Sequence, residues 1–422
     1  MKKAFIPILI LLLIGGIIFA GGNNESDQIV LNVMGYGDNS NAEGISWNRL
    51  VENFMEENPD IVIESELLYD EAYHQKVTAR LAAGDVPHVA YMGADARWGA
   101  PWREADQQID IRSYIGSQYD RTLIPEMGSN GEIYYLPLGT SNITTVLFMN
   151  TELVESLGFS EPETYEDLVA MVPAARAAGL EVVGIDGADG WAWGSCLMSA
   201  IIGRVSGDPN WVSKAVAGQY RFDDPVIVDS LQLLRTMVDD GVISSNSVLV
   251  DYGTNIANFS NGKALFMVQG QWAAGGVENL EVRSTMKLLA WPKFPGENAS
   301  VAGSVAAAWQ VGYGITAAAT EDPAVLDAAV KFLDYVNREE EATLRLRDGA
   351  IIAPVLAGYS TPNDLPNEVS QKVALAQNAL NTDVIDAYLS GAPNDALNAG
   401  MQKIVAGEAT PLEIAQEVES LR

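Results

Sequence analysis

Cysteine, histidine and basic side chains are scarce in this sequence, and each scarcity excludes something. Cys196 is the one cysteine, so no internal disulfide can form. Two histidines, His74 and His88, cannot build a histidine-rich metal site. Lys and Arg number 25 against 56 Asp and Glu, for a formal net charge of −31 at pH 7. Such acidity argues against nucleic acid or an anionic membrane surface as partner and fits a heavily solvated, monomeric protein. No Gly-x-Ser-x-Gly elbow, Walker loop or zinc motif occurs. A glycosidase would need two marked carboxylates. No local motif singles out such a pair, so the chain is read as non-enzymatic and free of cofactor or bound metal.

Long apolar runs are also missing, except at the start. Lys2 and Lys3 precede an apolar stretch from Ile6 to Ile18, and Phe19, Ala20 and Gly21 follow. That is the pattern of a signal peptide over residues 1–20, with cleavage after Ala20. The stretch is short for a membrane span of roughly 20 residues. Gly21 stands near where a lipoprotein would need a cysteine. The expectation is an unlipidated protein in the periplasm or an equivalent extracytoplasmic space.

What remains is long enough for two lobes. "QIVLNVMGYG" reads as a strand ending in glycines. Trp47, Leu50, Val51 and Phe54 fall at i, i+3, i+4 and i+7, the spacing of one apolar helix face. "DIVIESELL" and "PHVAYMG" are further strands, with a helix between them stopped by Gly84. The same alternation continues. Thr164 caps a helix that Pro173 should kink or end, and Asp224-Pro225 and Asp322-Pro323 open two more. "TPLE", Thr410 to Glu413, matches a capping box. Ala264 to Val268 is an unbroken apolar run after Asn261-Gly262 and reads as a buried strand. Strands alternating with helices make the class α/β.

Several segments, in order, carry a resemblance. They are "YHQKVTARLAAGDVPHVAYM", "GEIYYLPLGTSNITTVLFMNTELVESLGFSEPETYEDLVA", "FSNGKALFMVQGQW" and "DPAVLDAAVKFLDYVNREEEA", followed by "AGEATPLEIAQEVESL" at the C-terminus. Together they resemble the extracellular solute-binding proteins of ABC importers, in particular the sugar-binding family that includes maltose-binding protein. His88, Met149 and Tyr165 depart from the family's usual Asp, Tyr and Trp. The resemblance implies a two-lobed fold, each lobe a helix-covered, mainly parallel sheet. It implies lobe 1 at 29–139 plus about 305–350, and lobe 2 at 140–304 plus about 351–422. The chain would cross near Thr140, Ser304 and Ile351. A sugar would be captured in the cleft by hinge closure and passed to ABC permease subunits in the membrane.

A sugar offers apolar C–H faces to aromatic rings and rim hydroxyls to polar groups. Nine tryptophans are present, several after strands or in glycine-rich loops. Trp272 occupies the position of the family's stacking tryptophan, with Gly270 beside it to let backbone approach the ligand. One of Trp191 and Trp193, in "GADGWAWGS", is expected to contact ligand and the other to be core. Trp309 and Trp98 are candidates that core packing would explain equally well. Polar grips are expected from Tyr36, Asp38, Asp95, Tyr69 and Asp70, which follow first-lobe strands, and from Asn142 at the first crossing. The first-lobe residues could instead cap a helix or face water, and Asn142 could simply bond hinge backbone. Trp47 is read as core and Arg347 as a surface salt bridge. Because no Lys or Arg sits in the Trp191, Trp272 or Trp309 loops, the expected ligand is a neutral mono- or oligosaccharide. A polyamine held by the carboxylates is the alternative solute.

Overall fold

The computed structural model describes residues 28–38 and 42–422. The signal-peptide reading of residues 1–20 lies outside them. Among the described residues twelve strands occur in chain order: β1 (Ile29–Tyr36), β2 (Ile61–Leu68), β3 (Val89–Met92), β4 (Leu136–Pro137), β5 (Asn142–Ile143), β6 (Val146–Met149), β7 (Glu181–Gly184), β8 (Ala264–Gln269), β9 (Lys287–Leu289), β10 (Val305–Ala308), β11 (Gly312–Ile315) and β12 (Asn381–Thr382). They form three sheets, ordered β2-β1-β3-β11-β4, β7-β8-β6-β9 and β12-β10-β5. Each of the two larger sheets is the floor of its own hydrophobic core, so the molecule has two lobes.

Each large sheet is mainly parallel in strand direction, as expected, and carries one reversed strand. β1 pairs in parallel with β2 and β3, but β11 runs antiparallel to β3 and β4. In the second sheet β7 and β8 are parallel, while β6 is antiparallel to both β8 and β9. The reason is the chain path. β6 and β11 enter their sheets straight from the other lobe, from the cleft end, and therefore run away from the cleft. β1, β2 and β3 reach the cleft at their C-terminal ends, with a helical crossover from β1 to β2 and another from β2 to β3.

Local signals act as the residue types dictate. Trp47, Leu50, Val51 and Phe54 are all buried on the helix Ala42–Glu57. All six residues of β8 are buried. Thr164 and Asp167 form a reciprocal capping box, as do Thr410 and Glu413. Pro173 does not end its helix, which runs from Tyr165 to Ala178 and stops at Gly179 with φ of 71°. Pro173 is exposed, so water can satisfy the carbonyl that its missing N–H releases.

Three segments connect the lobes side by side. Leu138 N donates to Val311 O at 3.0 Å, Thr140 N to Ala353 O at 2.9 Å, and Thr144 N to Ala306 O at 2.9 Å. Gly139 is needed here, since a Cβ at this position would sit 2.9 Å from Cβ of Ile351. Val355 still packs in the first core, and Ile385 and Leu389 pack in the second.

Candidate functional site

A cavity of about 460 Å³ lies between the lobes. The C-terminal ends of β1, β2 and β3 deliver its first wall. Tyr36 is the last residue of β1, Tyr69 and Asp70 follow β2, and Asp95, Arg97 and Trp98 follow β3. The aromatic rings brace one another. Tyr36 stacks on Tyr91 with centroids 5.0 Å apart and planes at 7°, and Trp98 meets Tyr36 edge-on at 5.2 Å. The opposite wall comes from the second lobe. Trp272 follows β8, its ring 6.0 Å from Trp191, and Trp191 is 6.2 Å from Tyr252. Asn142 lines the hinge end, and its Oδ1 accepts from Gln271 Nε2 at 3.2 Å.

Of the residues singled out from sequence, Trp272, Trp191, Trp98, Asp95, Tyr36, Tyr69, Asp70 and Asn142 line this cavity. Four do not. Trp193 is fully buried in the second core, with Nε1 donating to Gly187 O at 3.0 Å. Two positions along a helical turn are about 200° apart, so Trp191 and Trp193 face opposite ways. Trp309 is 43% exposed. Ala308 and Gln310 line the cavity, and strand-like alternation turns the residue between them outward. Asp38 lies on the surface, where Gly37 with φ of 148° carries the chain away from the cleft. Gly270 also has a different role from the one expected. A Cβ there would overlap Cη2 and Cζ3 of Trp272, so the glycine makes room for the indole rather than for ligand backbone contact. Trp47 is core, stacked on Tyr313 at 5.1 Å, though one edge reaches the cavity. Arg347 pairs with Asp364 at 2.7 Å on the surface.

The tertiary structure adds residues that sequence reasoning missed. Arg97 is next to Trp98 in the same loop, which was a usable signal. It donates from Nε to His74 Nε2 at 3.1 Å and lies 3.9 Å from Asp70, 3.5 Å from Glu71 and 3.7 Å from Asp386. His74 can accept because burial, with Arg97 adding to it, pushes its pKa down to about 3 and keeps the ring neutral. Asp386, Ser195, Tyr252 and Arg345 also line the cavity, from segments without any local motif. Burial pushes the Asp95 carboxyl up to about 7, although it accepts the backbone N–H of Trp98 at 2.6 Å. Burial likewise raises Asp70 and Asp386. This end of the cavity thus holds aromatic faces beside acceptors of hydrogen bonds. Among the described residues no group of three or more His, Cys, Asp or Glu side chains is placed to hold a metal ion.

The sequence pattern of bacterial extracellular solute-binding proteins matches residues 38–343. The multiple sugar-binding protein of Streptococcus mutans is 24% identical over 250 residues, a stretch covering 58% of this chain and 58% of that protein. A structure from work on xylan utilization by Caldanaerobius polysaccharolyticus superposes with a TM-score of 0.80 at 19% identity, covering 93% of this chain and all of that one. Maltose-bound MalE3 of T. maritima superposes with a TM-score of 0.75 at 17% identity, covering 93% of this chain and 98% of that one. No described helix is long and apolar enough to cross a membrane.

Proposed function

This chain belongs to the bacterial extracellular solute-binding protein family, and we propose that it captures a sugar between its lobes and delivers it to the membrane permease of an ABC importer. The observation that carries this reading is the pair of aromatic walls, one from each lobe, facing a single cavity with carboxylates and an amide between them. Trp272 and Trp191 stack on sugar faces from one side, and Trp98, Tyr36 and Tyr69 do so from the other. Asp70, Asp95 and Asn142 accept or share hydrogen bonds with hydroxyls.

Binding closes the cleft. Lobe 1 comprises the first sheet with β11, lobe 2 the second sheet with the C-terminal helices, and the hinge is the bundle of crossings at 138–145, 305–311 and 350–356. A ligand that touches both walls favours the closed form by its differential affinity for the two states. The mature chain begins at Gly21, carries no lipid, works outside the cytoplasm and needs no nucleotide, since ATP is hydrolysed elsewhere in an importer. A thermal-shift screen of sugars, oligosaccharides and polyamines tests the reading. A ligand at 100 times its dissociation constant adds about 2.7 kcal/mol, so one or more sugars should raise the melting temperature clearly. Stabilisation by polyamines alone, or by no sugar, overturns it.

A further inference from the structure

The hinge end of the cavity holds a feature that a neutral sugar leaves unexplained. Arg345, on the helix Glu339–Arg347, is 7% exposed and lines the cavity beside Trp47, Tyr313 and Gln310. Its Nε and Nη2 are sealed from solvent with no hydrogen-bond partner, and so is Oε1 of Gln310. Nη1 is not among these sealed atoms, and since Arg345 lines the cavity it is the guanidinium nitrogen open to a ligand there. No carboxylate among the described residues lies within ion-pair distance of it. The nearest candidate is Glu341, one helical turn back, and it is already shared by Arg49 at 3.8 Å and Arg338 at 3.5 Å. Burial lowers the Arg345 pKa to about 10, Glu341 opposes this through space and Arg49 adds slightly to it, so the group stays charged at neutral pH. Proteins rarely bury a charge without a partner, because losing water costs far more than any uncharged contact returns.

We propose that the sugar captured here carries a carboxylate, and that this carboxylate pairs with Arg345 at the hinge end of the cavity. The inference rests on the sugar-binding reading and narrows it to acidic saccharides, such as those containing a uronic acid. One accessible guanidinium nitrogen suits a singly charged carboxylate. A phosphate dianion would ask for more donors and would meet Asp348 and Glu278 at the rim. Beside Tyr36 and Trp98 the wall carries Asp70, Asp95 and Asp386, and Arg97 among them is already engaged, 3.9 Å from Asp70 and 3.7 Å from Asp386. The cavity therefore offers a cation already paired with carboxylates in one part and an Arg345 without an ion pair in another. A ligand with hydroxyls at one end and a carboxylate at the other enters in one orientation. The expectation of a neutral ligand came from the tryptophan loops alone. It missed Arg345 because the helix that bears it meets the cavity only after the chain has crossed twice between lobes.

Calorimetry at low salt with matched pairs of probes tests this. Each pair is a neutral oligosaccharide and the same backbone bearing a glucuronic or galacturonic acid unit. The tightest ligand should be acidic and bind at least tenfold better than its neutral counterpart. Arg345→Gln should weaken acidic ligands at least tenfold more than neutral ones, and Arg345→Lys should keep part of the preference. Arg345→Met should raise the melting temperature of the ligand-free protein, because a costly unpaired charge is gone; a purely structural arginine would give the opposite shift. Neutral ligands binding as tightly as acidic ones would overturn the proposal and leave sugar capture standing. An equal effect of Arg345→Gln on both classes would do the same. Failure of every sugar to bind would remove both readings.

Discussion

Trp272 sits half-buried on the second-lobe wall, held by the bare backbone of Gly270 beneath and by Trp191 at its side. Its position is fixed before any ligand arrives, so the ordering cost of stacking is already met. Trp272→Ala should raise the dissociation constant for sugar by about 10- to 1000-fold, from truncation costs of ~1.4–4 kcal/mol at buried aromatic anchors. Calorimetry on the folded variant reads this, and an unchanged constant would show that the indole is packing only. Asp186 illustrates a different residue-scale effect. It is fully buried behind the same wall, with Oδ1 accepting from Asn255 Nδ2 at 3.0 Å and from Gln269, while Oδ2 has no partner. Burial pushes its pKa up to about 7. An unfolded aspartate ionises near 4. Between those values the folded protein holds a proton that the unfolded chain has lost, so this group's contribution to stability falls as pH rises from about 4 to about 7 and is flat above. Asp186→Asn cannot ionise. Its melting temperature should exceed the parent's at pH 8 and lose that advantage towards pH 4, as scanning calorimetry would record.

At the scale of elements, the second lobe is tied together by the helix Ser199–Ser206. Arg204 on that helix is buried, donates to Trp291 O at 2.7 Å, stacks on Phe294 at 4.9 Å and pairs with Glu297, whose side chain is equally inaccessible. The helix is preceded by a π-helical turn, Trp193–Met198, which points Ser195 at the cavity and Trp193 into the core. Glu297→Gln should cost about 3–5 kcal/mol, because breaking a buried pair leaves an uncompensated charge. The double variant Arg204→Met with Glu297→Leu should recover most of that loss. Urea denaturation of the two variants separates them, and equal stabilities would mean that the pair is not what holds this region.

For the whole molecule, closure is a contest of charges across the cleft. Arg97 of the first lobe reaches Asp386 of the second at 3.7 Å, and Ala96 N donates to Ala387 O at 2.9 Å. Opposing them, Asp70 acts to raise the pKa of Asp189, and Asp395 that of Glu71, each pair facing the other across the lobes. Burial is the larger cause for both raised groups. Like charges brought together disfavour the closed form, and the ligand and Arg97 must offset them. X-ray scattering should therefore show a smaller radius of gyration with saturating sugar than without, and an identical radius would contradict hinge closure. Asp386→Asn should enlarge the ligand-free radius further, since it removes the ion pair and spares the fold.

The sequence by itself determined the elements and their class. Helix faces such as Trp47 to Phe54, caps such as Thr164 and Thr410, and the apolar run of β8 depend on contacts within a few residues, and periodicity reports those directly. Residues at strand ends, Tyr36, Asp95 and Trp272 among them, were legible as cavity candidates because open α/β sheets place their binding crevice at those ends. Tertiary structure alone decided the rest. It made the sheets mixed by feeding β6 and β11 in from the opposite lobe. It turned Trp193 inward and Trp309 outward through a helical and an extended half-turn that spacing alone left open. It also brought Arg97, Asp386 and Arg345 to one cavity from segments nearly 300 residues apart. The physical reason is that a cavity between lobes is lined by side chains whose neighbours in space are set by the chain crossings. No local pattern records which distant side chain those crossings will supply.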